Sequence, residues 1–373
     1  MLLLDSATNQ DLDCIPNELL FTLKDIVNKV QINSYFSIGH PDYKPLEIPN
    51  QLVGRFQKMP LNLQSKYLNK QLQSFVYDIY YNGSLRTSLT LDVNSANFSL
   101  HQNLENNTWL EVNTEFVLRL HESNVGQGYF NPGWHILRQE NDGTLAVKKD
   151  ALTLHVERDR HLQPAEHSAT IGEEVSIRLP RNLLQNGFYV AMSNLGGVIP
   201  GNSADDSTTV GIYFNFSSEG AVALMNEITQ QLNEITIPFS FKVLYNPSDY
   251  GRYDSGILYF NRKNYQAVWQ LIKKLYTKNI LYFGIKIPLF TKLLAPGLGL
   301  AEEPDCKFFP QENFGMNRSQ IIALGLLEAW QKGNVSPQDR MASILKHFAM
   351  FGVSLQRPYL NKNSEDIYSP LDC

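Results

Sequence analysis

Cysteine is scarce in this chain of 373 residues. Cys14, Cys306 and Cys373 are odd in number and widely separated, a spacing that builds neither a disulfide framework nor a metal knuckle. No apolar run reaches the roughly 18 residues that a membrane span requires. The first residues, MLLLDSATNQDLD, have a short apolar run but no positive n-region and no small-residue cleavage site, so they do not read as a signal peptide. Asn-x-Ser/Thr matches such as Asn82-Gly83-Ser84 therefore lack a secretory context. Charge is also thin, at 18% of residues with a net −5 and a pI near 5.9, which argues against a general nucleic-acid binder. Two glycine-rich stretches, SNVGQGYFNPGWH and APGLGLAEEP, lack respectively the strand-to-helix phosphate turn of a dinucleotide site and the Gly-Lys-Ser/Thr ending of a phosphate-cradling loop. The expectation is a reduced, soluble, cytoplasmic protein with no metal, no cofactor, no nucleic acid and no membrane among its partners.

Apolar residues make up 43% of the chain, and aromatics 11%, with 18 Tyr and 20 Phe. That composition can bury a full core. Residues 11–34 carry Leu19, Leu20, Leu23, Ile26, Val27 and Val30 at helical spacing, with Asp13 or Asn17 as caps. YFSIGHPDYKPLEIP is broken by three prolines and cannot be regular helix, and His40 within it reads as a loop imidazole. From Gln51 to Tyr81 the helical pattern returns, interrupted at Pro60 and stopped at Asn82-Gly83; Ser84 to Asn107 reads as loop. Strand signals begin at Trp109: TWLEVNTEFVLRLH alternates, and HILRQENDGTLAVKKDALTLHV reads as strand, turn, strand and second turn. EEVSIRLP, NGFYVAMSN, TTVGIYFNF, PFSFKVLY and SGILYF add strands. Helices are expected from Ser217 to Ile235, from Asn264, at RSQIIALGLLEAWQKG, and at SPQDRMASILKHFAMFG with Pro337 in its first turn. The resulting expectation is an α+β fold, a helical N-terminal region over 1–108 followed by a mostly antiparallel sheet with C-terminal helices over 109–373.

The stretch from Lys242 to Arg318 is electropositive, with eleven Lys/Arg against six Asp/Glu. In an otherwise acidic chain this points to an anionic ligand, phosphate first. DGTLAVKKDALTLHV, KVLYNPSDYGRYDSGILYF and TKLLAPGLGLAEEP, with ENFGMNR and RPYLN after them, resemble the HopA-type effector family. The N-terminal HPDYKPLEIP, RFQKMPL and YYNGSL are similar to the extension of its bacterial, non-effector branch. That resemblance implies a LanY-type lyase of class V lanthipeptide or thioamitide biosynthesis. A separate Ser/Thr peptide kinase would phosphorylate a precursor peptide, and the lyase would eliminate phosphate to leave dehydroalanine or dehydrobutyrine.

Such a reaction needs a base whose amine is deprotonated through burial or nearby cations, and guanidinium forks for the phosphate. Lys242, on a strand among apolar residues, is the candidate base, and His135, beside a motif loop, the candidate general acid. Arg252, Lys292 and Arg318 are the candidate substrate-binding cations, brought together from separated segments. Tyr213 and Asn215 are expected to border the pocket, and Asp254 is expected beside Arg252. One departure stands out. Relatives carry an arginine in the strand before YFN, where this chain has Gly211, which favours the alternative of a non-catalytic peptide- or kinase-binding module.

Overall fold

Helix α1 spans Asn17–Lys29 and starts on Pro16 with no side-chain cap, so Asn17 is its first residue and not its cap. Its buried Leu19, Leu23, Ile26 and Val27 form the one-faced stripe that the spacing foretold. The computed structural model describes residues 15–86, 112–198 and 208–371. The cap at Asp13, most of the loop from Ser84 and the strand start at Trp109 lie outside the described residues.

The proline-punctuated stretch after α1 is indeed not helical, but it is ordered as a three-stranded meander: β1 Gln31–Ser34, β2 Ser37–His40 and β3 Tyr43–Glu47. Pro45 and the register breaks at Asn33 and Gly39 fit a short, irregular sheet. His40 is in β2 and not in a loop. Its Nε2 meets the Tyr80 hydroxyl at 2.9 Å while its Nδ1 accepts from the Asp42 N–H at 3.1 Å. The Tyr80 hydroxyl in turn donates to Asp25 at 3.0 Å. Helices α2 Asn50–Gln57 and α3 Leu61–Val76 are separated at Pro60, and α3 runs into a π-helical turn, Tyr77–Tyr81, that ends at Asn82-Gly83.

The alternation after Trp109 is misleading. Residues Thr114–Ser123 form helix α4, because Asn113 accepts the Phe116 N–H at 2.8 Å as an N-cap and Phe116 and Leu120 bury one turn apart. A four-stranded antiparallel sheet follows, β4 Tyr129–Gln139, β5 Leu145–Lys149, β6 Leu152–Val156 and β7 Glu174–Leu179, in the order β6-β5-β4-β7. Part of the glycine-rich stretch before His135 is thus strand. This sheet has its own small core of Trp134, Ile136, Val147, Val175 and their neighbours.

The main sheet has seven strands in the order β13-β14-β10-β12-β11-β9-β8, with every adjacent pair antiparallel. They are β8 Asn182–Gln185, β9 Phe188–Met192, β10 Thr209–Phe214, β11 Phe239–Leu244, β12 Gly256–Asn261, β13 Lys292–Ala295 and β14 Leu298–Glu302. The short edge strand β8 carries no alternation that separates it from a loop. One face presents Ile212, Phe214, Phe241, Val243, Leu258 and Phe260, all buried. Against it lie α5 Ser218–Glu234, capped by Ser217, and α6 Tyr265–Asn279. Side-chain alternation puts Gly211, Tyr213, Tyr259 and Lys242 on the other face.

That second face is roofed by α7 Phe314–Gln331, which pairs with α8 Pro337–Met350 and with α3. Phe314 sets its ring centroid 6.4 Å from Tyr81 and 6.2 Å from Tyr213. Helix α7 is buried on almost every side, and one core runs from Ile15 through the sheet to Leu371. Gly315 permits the close approach, since a Cβ there would lie 2.3 Å from the Tyr81 ring. Gly315→Ala should therefore destabilise the protein by about 1–3 kcal/mol through overpacking, as read from the midpoint of urea unfolding; an unchanged midpoint would show that Tyr81 yields freely.

Candidate functional site

Lys242 sits in β11 opposite Ile257 of β12 and Val190 of β9. Its neighbours Phe241 and Val243 point into the core on the far face, so the lysine is left half-buried on the near one. Its Nζ lies 5.1 Å from the centre of the Tyr259 ring. Burial pushes the Lys242 amine below its ordinary value, Glu303 pulls it back up, and the neighbouring Lys307 lowers it further.

Glu303 follows β14 and is buried. Its Oε1 accepts from the Tyr213 hydroxyl at 3.2 Å. Among the described residues its Oε2 and the Lys307 Nζ are buried with no hydrogen-bond partner. Burial raises the Glu303 carboxyl above the usual range, against the pull of Lys307 and Lys242. Burial likewise pushes the Tyr213 and Tyr259 phenols well up. The result is a centre of one lowered amine, one raised carboxyl, an unpaired second amine and two firmly protonated phenols.

Glu303 and Lys307 were not among the residues that sequence reasoning selected. The available signal was the acidic pair Glu302-Glu303 closing a strand: alternation must send one to each face. Glu302 turns to the C-terminal segment, where it accepts from Tyr368 at 2.8 Å and Ser364 at 2.7 Å. Glu303 turns to Lys242.

The other expected cations are committed elsewhere, although Arg318 lies within electrostatic reach of Glu303 and Tyr213. Arg318, 2% exposed, donates to the Pro358 carbonyl at 3.0 Å, to the Leu360 carbonyl at 3.3 Å and to Asn317 Oδ1 at 2.7 Å. It pins the chain after α8, and burial lowers its guanidinium to about 10. Arg252 forms a two-pronged pair with Asp254, at 2.8 and 2.9 Å. Asp254 also accepts from Tyr77 at 3.2 Å and Asn82 at 3.4 Å, so that pair ties the π-turn to the sheet. Lys292 is bound to Asp366 at 2.8 Å. Its register partner Leu300 belongs to the face opposite Lys242, four strands away, or about 19 Å at the usual strand spacing. Strand parity therefore keeps Lys292 out of the four-cation pocket expected from the sequence, while Arg252 and Arg318 spend their donors on internal acceptors.

Asn215 donates to the Lys286 carbonyl at 2.8 Å and holds the loop before β13. Tyr213 does border the Lys242 centre. His135 does not: it is exposed in β4 of the smaller sheet, opposite Lys148 and Glu174. At Gly211 a Cβ would meet Tyr259 at 3.1 Å and Tyr213 at 3.2 Å. The place where an arginine would project is filled by the two tyrosine rings.

Fold and site together define an α+β protein whose main antiparallel sheet carries a desolvated Lys-Glu-Tyr centre under a helical roof. Residues 179–360, which hold that sheet and roof, match the model of the HopA1 effector protein family. No curated protein matches the chain. Among solved structures, an effector protein from Pseudomonas syringae pv. tomato strain DC3000 is similar at 17% identity and TM-score 0.39, covering 67% of this chain and 81% of that one. An effector protein from Pseudomonas syringae pv. syringae strain 61 is similar at 18% identity and TM-score 0.37, with the same coverages. Among the described residues no helix is long and apolar enough to cross a membrane, and no group of three His, Cys, Asp or Glu could hold a metal.

Arg318 and the half-buried Lys242 should separate in stability measurements. Arg318→Ala strands two buried carbonyls and should cost about 2–4 kcal/mol. Lys242 has the reverse linkage: with its folded value below the ordinary 10.5, the unfolded chain binds more protons between the two, and stability rises with pH across that window. The stability of Lys242→Met relative to wild type should therefore fall as pH climbs toward 10.5, read by urea unfolding against pH. A pH-independent difference would mean that the amine is not depressed.

Proposed function

We propose that the protein is a phosphoserine/phosphothreonine lyase that eliminates phosphate from a kinase-phosphorylated precursor peptide in the cytoplasm, with Lys242 as base. The observation that carries this reading is the half-buried Lys242 amine, lowered by desolvation and in electrostatic reach of Lys307, whose Nζ is buried without a hydrogen-bond partner. An amine so placed gives up its proton more readily than a solvated lysine and can take the Cα proton. As the Cα–H electron pair forms the new Cα=Cβ bond, the Cβ–O bond breaks and inorganic phosphate leaves with the electron pair of that Cβ–O bond. Lys307 is the cation placed to meet the departing charge. The buried Glu303, held toward its neutral form, leaves the site's positive potential uncancelled. The resemblance of the sequence to LanY-type lyases and the family match over residues 179–360 support the assignment.

A second reading, a non-catalytic peptide- or kinase-binding module, is favoured by a specific observation. Arg252, Lys292 and Arg318 already hold internal partners, and Gly211 offers no guanidinium. The two readings part in one experiment, incubation of the protein with a phosphorylated Ser/Thr peptide followed by mass spectrometry. Loss of the mass of phosphoric acid, abolished in Lys242→Ala with peptide affinity retained, is the expected result. A phosphopeptide that stays intact yet bound establishes the binding module instead, and turnover that survives Lys242→Ala removes Lys242 from the base role.

A further inference from the structure

A cleft of about 380 Å³ opens between α1, the chain after the π-turn, and the segment leading into β13. Its wall carries Arg86, Lys286 and Lys292 against a single acid, Glu18. Tyr253 is the fixed element at its centre. The Tyr253 N–H donates to the Asn82 carbonyl at 2.9 Å, and its ring closes on Gly83, where φ is +71° and an added Cβ would lie 2.8 Å from the ring. Held this way, one ring faces two cations: the Arg86 guanidinium carbon is 6.0 Å from its centre and the Lys286 Nζ 5.9 Å.

The segment bearing Lys286 is fixed by its backbone and open at its side chains. Its carbonyl accepts from Asn215 at 2.8 Å, and the Leu289 N–H donates to the Tyr81 carbonyl at 3.1 Å. Lys286 itself is exposed, flanked by Ile285 at 83% exposure and followed by Leu293 at 55%. Two cations, Lys286 and Lys292, thus share a rigid rim with the apolar Ile287, Leu289 and Leu293. A single phosphate calls for several donors on one tetrahedron; here Lys292 is held back by Asp366, the Arg86 Nε donates to the Ile79 carbonyl, and Arg86 and Lys286 each lie about 6 Å from one aromatic ring. Such a row suits several separate carboxylates.

We infer that this cleft is a second binding site, distinct from the Lys242 centre, for an extended acidic peptide segment that carries apolar side chains among its Asp or Glu residues. The inference does not depend on Lys242 acting as a base. It is a docking role, and no bond is made or broken there.

The test is fluorescence anisotropy of the full chain with a labelled peptide of alternating Glu and Leu. A Lys-Leu peptide serves as counter-probe and inorganic phosphate as competitor. The Glu-Leu peptide should bind, the Lys-Leu peptide should not, and Lys286→Glu should weaken binding about tenfold. The same charge reversal at exposed Lys274 of α6 should leave binding unchanged. Equal losses in both variants would reduce the effect to overall charge, and absence of Glu-Leu binding would overturn the site. Displacement by millimolar phosphate with no change in salt-matched chloride would also overturn it, in favour of a phosphate pocket. Because phosphopeptide elimination is read separately, failure here leaves the lyase assignment standing, and failure there leaves this cleft standing.

Discussion

The seating of Phe314 and Gly315 over Tyr81 and Tyr213 is the contact on which the rest depends. It brings the start of a buried helix onto the polar face of the sheet and takes water away from groups that would otherwise be ordinary. Without that roof, Lys242 would be a snorkelling strand lysine and Glu303 a charged carboxylate. With it, the amine is lowered and the carboxyl raised, so that both are biased toward their neutral forms. The interaction is costly, since a desolvated amine and acid add little to stability, and the surrounding apolar core supplies the compensation.

Placement of the cations follows a second constraint, the parity of strands. Lys242 and Lys292 occupy strands of one sheet, yet their registers send them to opposite faces. The electropositive stretch is thereby split. One part enters the buried centre, another part lines the cleft around Tyr253, and Arg252 and Arg318 become braces that tie the π-turn and the C-terminal chain to the sheet. An excess of positive residues in sequence says that potential exists, not that it converges.

Much of the fold was legible because it rests on local chemistry. Ser217 before an amphipathic run, Pro337 in the first turn of the last helix, Pro60 between two helices and the Asn-Asp-Gly turn after Glu140 each act within a few residues. Local chemistry misleads where two such signals compete. In TEFVLRLH apolar residues alternate as in a strand, while the Asn113 cap and the spacing of Phe116 and Leu120 specify the helix. In the Pro41 to Pro49 stretch, exclusion of helix was right, but prolines at irregular register positions hid a short meander.

The sequence by itself determined the α+β class, most of its strands and helices, the half-buried character of Lys242 and the pairing of Arg252 with Asp254, since each depends on neighbours close along the chain. Tertiary structure alone decided that Glu303 and Lys307 join Lys242, that Arg318 serves backbone carbonyls and that His135 stands on a different sheet. Those outcomes depend on which strands lie side by side and which face a residue takes, and on desolvation by a helix more than seventy positions beyond Lys242. No spacing in the linear chain carries that information.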